Sequence, residues 1–147
     1  MSTVEPADLA DLIRRYHDAA ARFIQGDPEP YKALFSQRDD VTLANPFGPV
    51  RHGWEQAAGA MTRAAAYWHD GVILGFDRIA TWVTDDLAYI VEVERFEGRM
   101  GAREDLAPVT LRTTSVFRPE DGEWRIVHRH ADSITSDRPA ESVVTGG

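Results

Sequence analysis

Apolar residues recur at three- and four-residue spacing through Leu9, Leu12, Ile13, Tyr16, Ala20, Phe23 and Ile24, which predicts an amphipathic helix with one buried face. Pro6 suits its first turn and Gly26 its exit. Asp27-Pro28 then reads as the cap and first-turn proline of a short second helix running through Tyr31, Leu34 and Phe35. Val41-Thr42-Leu43-Ala44 is a short strand stopped by Asn45-Pro46-Phe47-Gly48-Pro49, and Val50-Arg51-His52 resumes as its partner before Gly53. A third helix is predicted from about Trp54 to His69, with Ala57, Ala58, Met61, Ala65 and Trp68 on one stripe.

From Gly71 onward the helical period disappears. Val72–Val83, Leu87–Phe96, Val109–Phe117 and Trp124–Ile134 carry the β-branched and aromatic residues of strands. Turn signals separate them at Thr84-Asp85-Asp86, between Gly98 and Pro108, and at Pro119-Glu120-Asp121-Gly122. Helices first and long hairpin-connected strands afterwards imply an α+β fold with a mostly antiparallel sheet. Strands this long imply a strongly curved sheet. The pattern assigns residues 1–135 to one domain and the polar segment 136–147 to a flexible tail.

Composition narrows the function more than the fold. A formal charge of −8, from 24 acidic and 16 basic side chains, argues against a nucleic-acid surface. Lys32 is the sole lysine, and the arginines are scattered singly. No apolar run approaches the length of a membrane span. The first residues lack a basic leader followed by an apolar stretch, so a cytoplasmic location without an export signal is expected. The absence of cysteine removes disulfides, thiol catalysis and thiolate metal sites.

Two motifs carry a resemblance. Asn45-Pro46-Phe47-Gly48-Pro49-Val50-Arg51-His52-Gly53-Trp54-Glu55-Gln56 resembles the ketosteroid isomerase and SnoaL-like polyketide cyclase families, which join an acidic-Pro-aromatic-Gly turn to a His-Gly-x-Glu helix start. Asp121-Gly122-Glu123-Trp124-Arg125-Ile126-Val127-His128-Arg129-His130 resembles the last strand of SnoaL-like proteins, and is similar to the end of the calcium/calmodulin-dependent kinase hub domain. Across about residues 7 to 135 the resemblance implies a cone-shaped nuclear transport factor 2-like (cystatin-like) fold enclosing a small-molecule pocket. It also implies departures from isomerase chemistry. The aspartate general base is replaced by Asn45, which cannot take a proton from carbon. The helix tyrosine of the oxyanion site corresponds to Tyr16, and its late-strand acid to Ser115.

The expected chemistry therefore lies elsewhere. Alternation places Ile90, Glu92, Glu94 and Phe96 on one strand face, which the resemblance makes the pocket face. A carboxyl in an apolar cavity suits general acid–base work, and Glu92 is favoured over Glu94 for that role; the alternative is that both pair with arginines on adjacent strands or line a wet dimer face. Without a bulge, His128, His130 and Asp132 share one face of the last strand, giving an imidazole base with an orienting acid. Gap-free comparison with the isomerases instead turns Arg129, Ala131 and Ser133 inward, and the sequence leaves both orientations open. His-x-His-x-Asp is also a permissible metal set, but the fold implied by resemblance rarely uses metal, so neither metal nor cofactor is expected. His17, His52 and His69 are read as structural. The expected site thus has Glu92, His130 and Asp132 as catalytic residues, with Tyr16, Asn45, Phe47, Trp54, Met61 and Ser115 contacting substrate. The expected function is binding of a small, mostly apolar, oxygenated molecule, with cofactor-free isomerisation, dehydration, cyclisation or epoxide hydration as its chemistry. The alternative is a non-catalytic ligand-binding or assembly module. A homodimer through the convex sheet face at Val91, Val93 and Val116 is expected in either case.

Overall fold

The computed structural model describes residues 5–146. Residues 1–4 of the expected domain and Gly147 of the expected tail lie outside the described residues. The chain opens with α1 (Ala7–Phe23) and the single turn α2 (Glu29–Lys32), followed by β1 (Thr42–Ala44), β2 (Arg51–His52) and α3 (Trp54–Ala65). Four long strands complete the fold: β3 (Trp68–Val83), β4 (Ala88–Met100), β5 (Ala107–Glu120) and β6 (Glu123–Asp132). Among the described residues no helix is long and apolar enough to cross a membrane. The segment after β6 is exposed and contains one 3-10 turn at Ala140–Val143.

All six strands form one sheet in the order β2-β1-β6-β5-β4-β3. Every neighbouring pair is antiparallel except β1 with β6, which run parallel, so the sheet is mixed. The edge strand β3 shifts register three times against β4. Leu74 and Ile79 are the extra residues at two of these bulges and point out to solvent, 52% and 64% exposed. Each bulge adds local twist, and together they keep a long edge strand from offering a flat template for pairing.

The third helix is shorter than its stripe suggests. Trp68 continues the three- and four-residue spacing from Met61 and Ala65, yet the helix stops at Ala65 and Trp68 pairs with Met100 as the first residue of β3. Trp68 packs edge-on against Phe96, with ring centroids 5.1 Å apart. The same pairing carries β4 past Phe96 to Met100 and narrows the expected turn, because Glu97 and Gly98 still pair with Pro108 and Ala107. The last two strands begin a residue or more earlier than expected, and β6 ends at Asp132 rather than Ile134.

Two apolar clusters lie between the helices and the concave side of the sheet. The larger is filled by Leu9, Leu12, Tyr16, Phe35, Leu43, Met61, Ile90, Phe117 and Ile126. The smaller, around Ile24, Trp68, Phe96, Leu111 and Ala131, has Phe23, Ile73, Met100 and Val109 packed against it. The two meet where the loop after α1 crosses β3. There the Gly71 amide donates to the Ile24 carbonyl at 3.1 Å. A Cβ at Gly71 would collide with both that carbonyl and the Ile24 side chain. Gly71→Ala is therefore expected to destabilise the fold by about 1–3 kcal/mol, the usual cost of overpacking, read as a lower urea midpoint with an unchanged m-value.

Candidate functional site

The smaller apolar cluster does not close on itself. It walls a cavity of about 300 Å³ between α1, the Asn45-Pro46-Phe47 turn and the concave faces of β3 to β6. Apolar side chains dominate the lining, among them Phe23, Trp68, Phe96, Val109 and Leu111. The charged residues of the lining are Glu94 and Arg129, with Tyr31, Asn45 and Ser133 as further polar groups. A mostly apolar concavity with a few convergent polar groups is the usual form of a small-molecule site.

Glu94 and Arg129 form a two-pronged ion pair at one end of the cavity. Arg129 donates from Nη1 to Glu94 Oε1 at 2.8 Å and from Nη2 to Glu94 Oε2 at 2.9 Å. Nη1 also donates to the Tyr16 phenol oxygen at 2.8 Å, and Tyr16 shares a 2.8 Å hydrogen bond with the Ser115 hydroxyl. The guanidinium carbon lies 5.8 Å from the ring centroids of both Tyr16 and Tyr31, within cation–π range. Burial opposes the charge on Arg129, but the Glu94 carboxylate together with the Tyr16 and Tyr31 phenols outweighs it and holds the guanidinium even more firmly protonated than usual. Burial also pushes the Tyr16 and Tyr31 phenols above their ordinary range, with Arg129 working against the rise, so both stay neutral hydrogen-bonding groups.

The inward position of Arg129 is set by a bulge in β6. Phe117 pairs with Ile126 and Val116 with His128, so Val127 is the extra residue and the alternation shifts by one. Ile126 points into the core, and beyond the bulge Arg129 and Ala131 do so too, leaving His128, His130 and Asp132 outside. This decides between the two orientations open from sequence. His130 is exposed and bonded to Asp132 at 2.9 Å, and Asp132 accepts from Arg112 at 2.7 Å. His128 instead bonds Thr42 on β1 at 2.7 Å. Among the described residues no group of three or more His, Asp or Glu is placed to hold a metal ion.

Glu92 shares the inward face of β4 but does not line the cavity, contrary to expectation. It sits under α1, bonded to His17 at 2.7 Å and to Arg78 at 2.9 Å, while His17 stacks on Phe76 at 3.8 Å. Burial raises its carboxyl, yet His17 and Arg78 together hold it below the ordinary carboxylate value. A carboxyl committed to two cationic or donor partners is poorly suited to take a proton from a ligand. The three residues expected to be catalytic thus lie outside the cavity, Glu92 beneath a helix and His130 and Asp132 across the sheet.

The expected substrate contacts divide. Asn45 and Phe47 line the cavity, with Phe47 half-exposed at its mouth and edge-on to Tyr67 at 5.8 Å. Tyr16 and Ser115 lie just behind the wall, linked to it through Arg129. Trp54 and Met61 belong to the filled cluster rather than the lining. The Asn45 turn follows β1 because Pro46 cannot donate to a ladder, and the Gly48 amide closes the turn on the Asn45 carbonyl at 3.4 Å. Gly53, at φ 88°, then lets the chain enter α3.

The family model of the SnoaL-like domain matches residues 9–135. The chain belongs to the SnoaL-like family. No curated protein matches this SnoaL-like chain in sequence. Solved structures similar to it include a proposed dehydratase of the nuclear transport factor 2-like family from Streptomyces avermitilis, at 20% identity over 88% of this chain and 95% of that one with a TM-score of 0.72. A ketosteroid isomerase-like protein from Erwinia carotovora matches at 16% identity over 88% of this chain and 96% of that one, TM-score 0.72. A proposed calcium/calmodulin-dependent protein kinase type II association domain from Thiobacillus denitrificans matches at 17% identity, covering 88% and 98%, TM-score 0.71. At these identities the likeness is one of fold, and the fold is the nuclear transport factor 2-like one.

The ion pair gives a stability prediction. Arg129→Met leaves the Glu94 carboxylate buried without its partner, and is expected to cost about 3–5 kcal/mol in urea unfolding. The double variant Glu94→Leu with Arg129→Met removes both charges and is expected to recover most of that loss.

Proposed function

We propose that this SnoaL-like protein binds a small, largely apolar, oxygen-bearing molecule in the cavity between α1 and the concave sheet. The observation that carries the reading is an apolar chamber of about 300 Å³ whose charged lining is confined to the Glu94–Arg129 pair. Apolar walls would supply the affinity, and the polar end would set orientation. Arg129 uses three of its guanidinium N–H groups on Glu94 and Tyr16, leaving donors for a ligand oxygen out of the five it carries. Dehydratase and isomerase-like names among proteins of the same fold support a pocket that handles oxygenated molecules. Glu92, His130 and Asp132 have no part in this reading.

The test is calorimetric titration with apolar ketones such as 2-acetylnaphthalene, alongside Val109→Trp, which fills the cavity from β5. Saturable binding is expected, with affinity falling at least tenfold in Val109→Trp. No binding, or equal binding by that variant, would end the reading.

A second copy of the chain is proposed as partner for the outer sheet face. Val91, Val93 and Val116 lie there, half-buried, beside the Trp82–Tyr89 stack, with Arg95–Asp77 and Arg112–Asp132 ion pairs of mixed charge around them. Light scattering at micromolar concentration is expected to give a dimer, and Val91→Glu with Val93→Glu a monomer. A monomeric wild-type protein would refute this.

A further inference from the structure

The polar end of the cavity is charged but carries no net charge. Both oxygens of Glu94 accept from Arg129, so the guanidinium meets an incoming ligand already neutralised. Tyr31, which also faces the cavity, is held as a neutral phenol by burial. A ligand carboxylate reaching the free donors of Arg129 would come to rest beside the Glu94 carboxylate, inside walls that are otherwise apolar. It would lose its hydration and gain an attraction offset by a like-charge repulsion at nearly the same distance. A carbonyl or hydroxyl oxygen has far less hydration to lose and still accepts from Arg129. The same geometry gives Glu94 a purpose besides pairing: it removes the positive charge that would otherwise make this an anion site.

From this we infer that the cavity selects uncharged carbonyl- or hydroxyl-bearing ligands over carboxylates of the same skeleton, and that Glu94 is the residue that sets the selection. The inference rests on the binding function proposed above and specifies its ligand class. Glu94 acts here through Arg129, as a specificity-determining residue. Its removal converts the polar end into an exposed guanidinium in an apolar chamber, a strong carboxylate receptor.

The probes share one skeleton and differ in head group: 2-acetylnaphthalene, 2-naphthol and 2-naphthoate. A shallower cavity beside the mouth is lined by Arg51 and Arg63, so the titrations use a protein carrying Arg51→Gln and Arg63→Gln, which prevents an anion from being held there. In that protein the ketone and the naphthol are expected to bind at least tenfold more tightly than the carboxylate. With Glu94→Gln added, the carboxylate should gain at least tenfold and overtake the ketone, whose own affinity changes by no more than a few-fold. Naphthoate should also raise the melting temperature of the Glu94→Gln protein, and 2-acetylnaphthalene should raise it less. Carboxylate binding as tight as ketone binding before Glu94 is changed would overturn the inference and leave the binding function standing. An order of affinities that Glu94→Gln leaves unaltered would do the same. If no head group binds at all, the binding function falls and the inference with it. The head-group comparison does not need Glu94→Gln, so failure of that variant to fold leaves the inference open to the same refutation.

Discussion

A guanidinium and a carboxylate buried together must satisfy each other and their remaining hydrogen-bonding capacity, or the fold is penalised by several kcal/mol. In this protein Arg129 and Glu94 satisfy each other while joining four elements. Arg129 comes from β6, Glu94 from β4, Tyr16 from α1, and Ser115 from β5 completes the chain through Tyr16. The pair sits where the filled cluster gives way to the hollow one. Its position therefore determines both how the first helix lies on the sheet and where the polar end of the cavity falls. An apolar pair of equal volume would serve packing as well or better. What it would not supply is a polar end to the cavity.

Glu92 and Glu94 show how far one turn of a strand separates two roles. Both point inward from β4, two residues apart, and both are buried. Glu92 meets His17 and Arg78 under α1 and works as a clamp between the helix and the edge strand. Glu94 lies beyond the stretch of α1 that covers Glu92 and faces the hollow. Other carboxylates also serve as clamps: Glu120 is bonded to Ser36 and Arg118, and Arg118 reaches on to Asp40. These pairs secure the loops between α2 and β1 against the end of β5, far from the cavity.

Of the three polar positions that the resemblance to the isomerases picks out, two carry different residues here, Asn45 and Ser115, and Tyr16 is kept. Asn45 occupies the cavity wall in place of an acid, and Ser115 stands behind Tyr16 in place of a second acid. Tyr16 itself turns its phenol to Arg129 and Ser115 and does not reach the cavity lining. The charges that line the cavity are an arginine from β6 and a glutamate from β4.

Periodicity alone determined most of the architecture. The spacing of Leu9, Leu12, Ile13 and Tyr16 specified α1 and its buried face, and alternation put Ile90, Glu92, Glu94 and Phe96 on one face of β4, which only the family resemblance marked as the inward one. The Asn45-Pro46-Phe47-Gly48 turn, which resembles that of the family, also led directly to part of the cavity wall. Two things escaped the sequence. Trp68 fits a helical stripe as well as a strand, and only its pairing with Met100 and packing on Phe96 resolve the ambiguity. The bulge at Val127 inserts one residue against β5, and a one-residue shift exchanges every side chain beyond it between the two faces. Local pattern carries no mark of that shift, because Ile126, His128 and His130 alternate smoothly in sequence. Tertiary pairing with Phe117 and Val116 placed Arg129 in the cavity and His130 outside it, and with that choice decided which residues can meet a ligand.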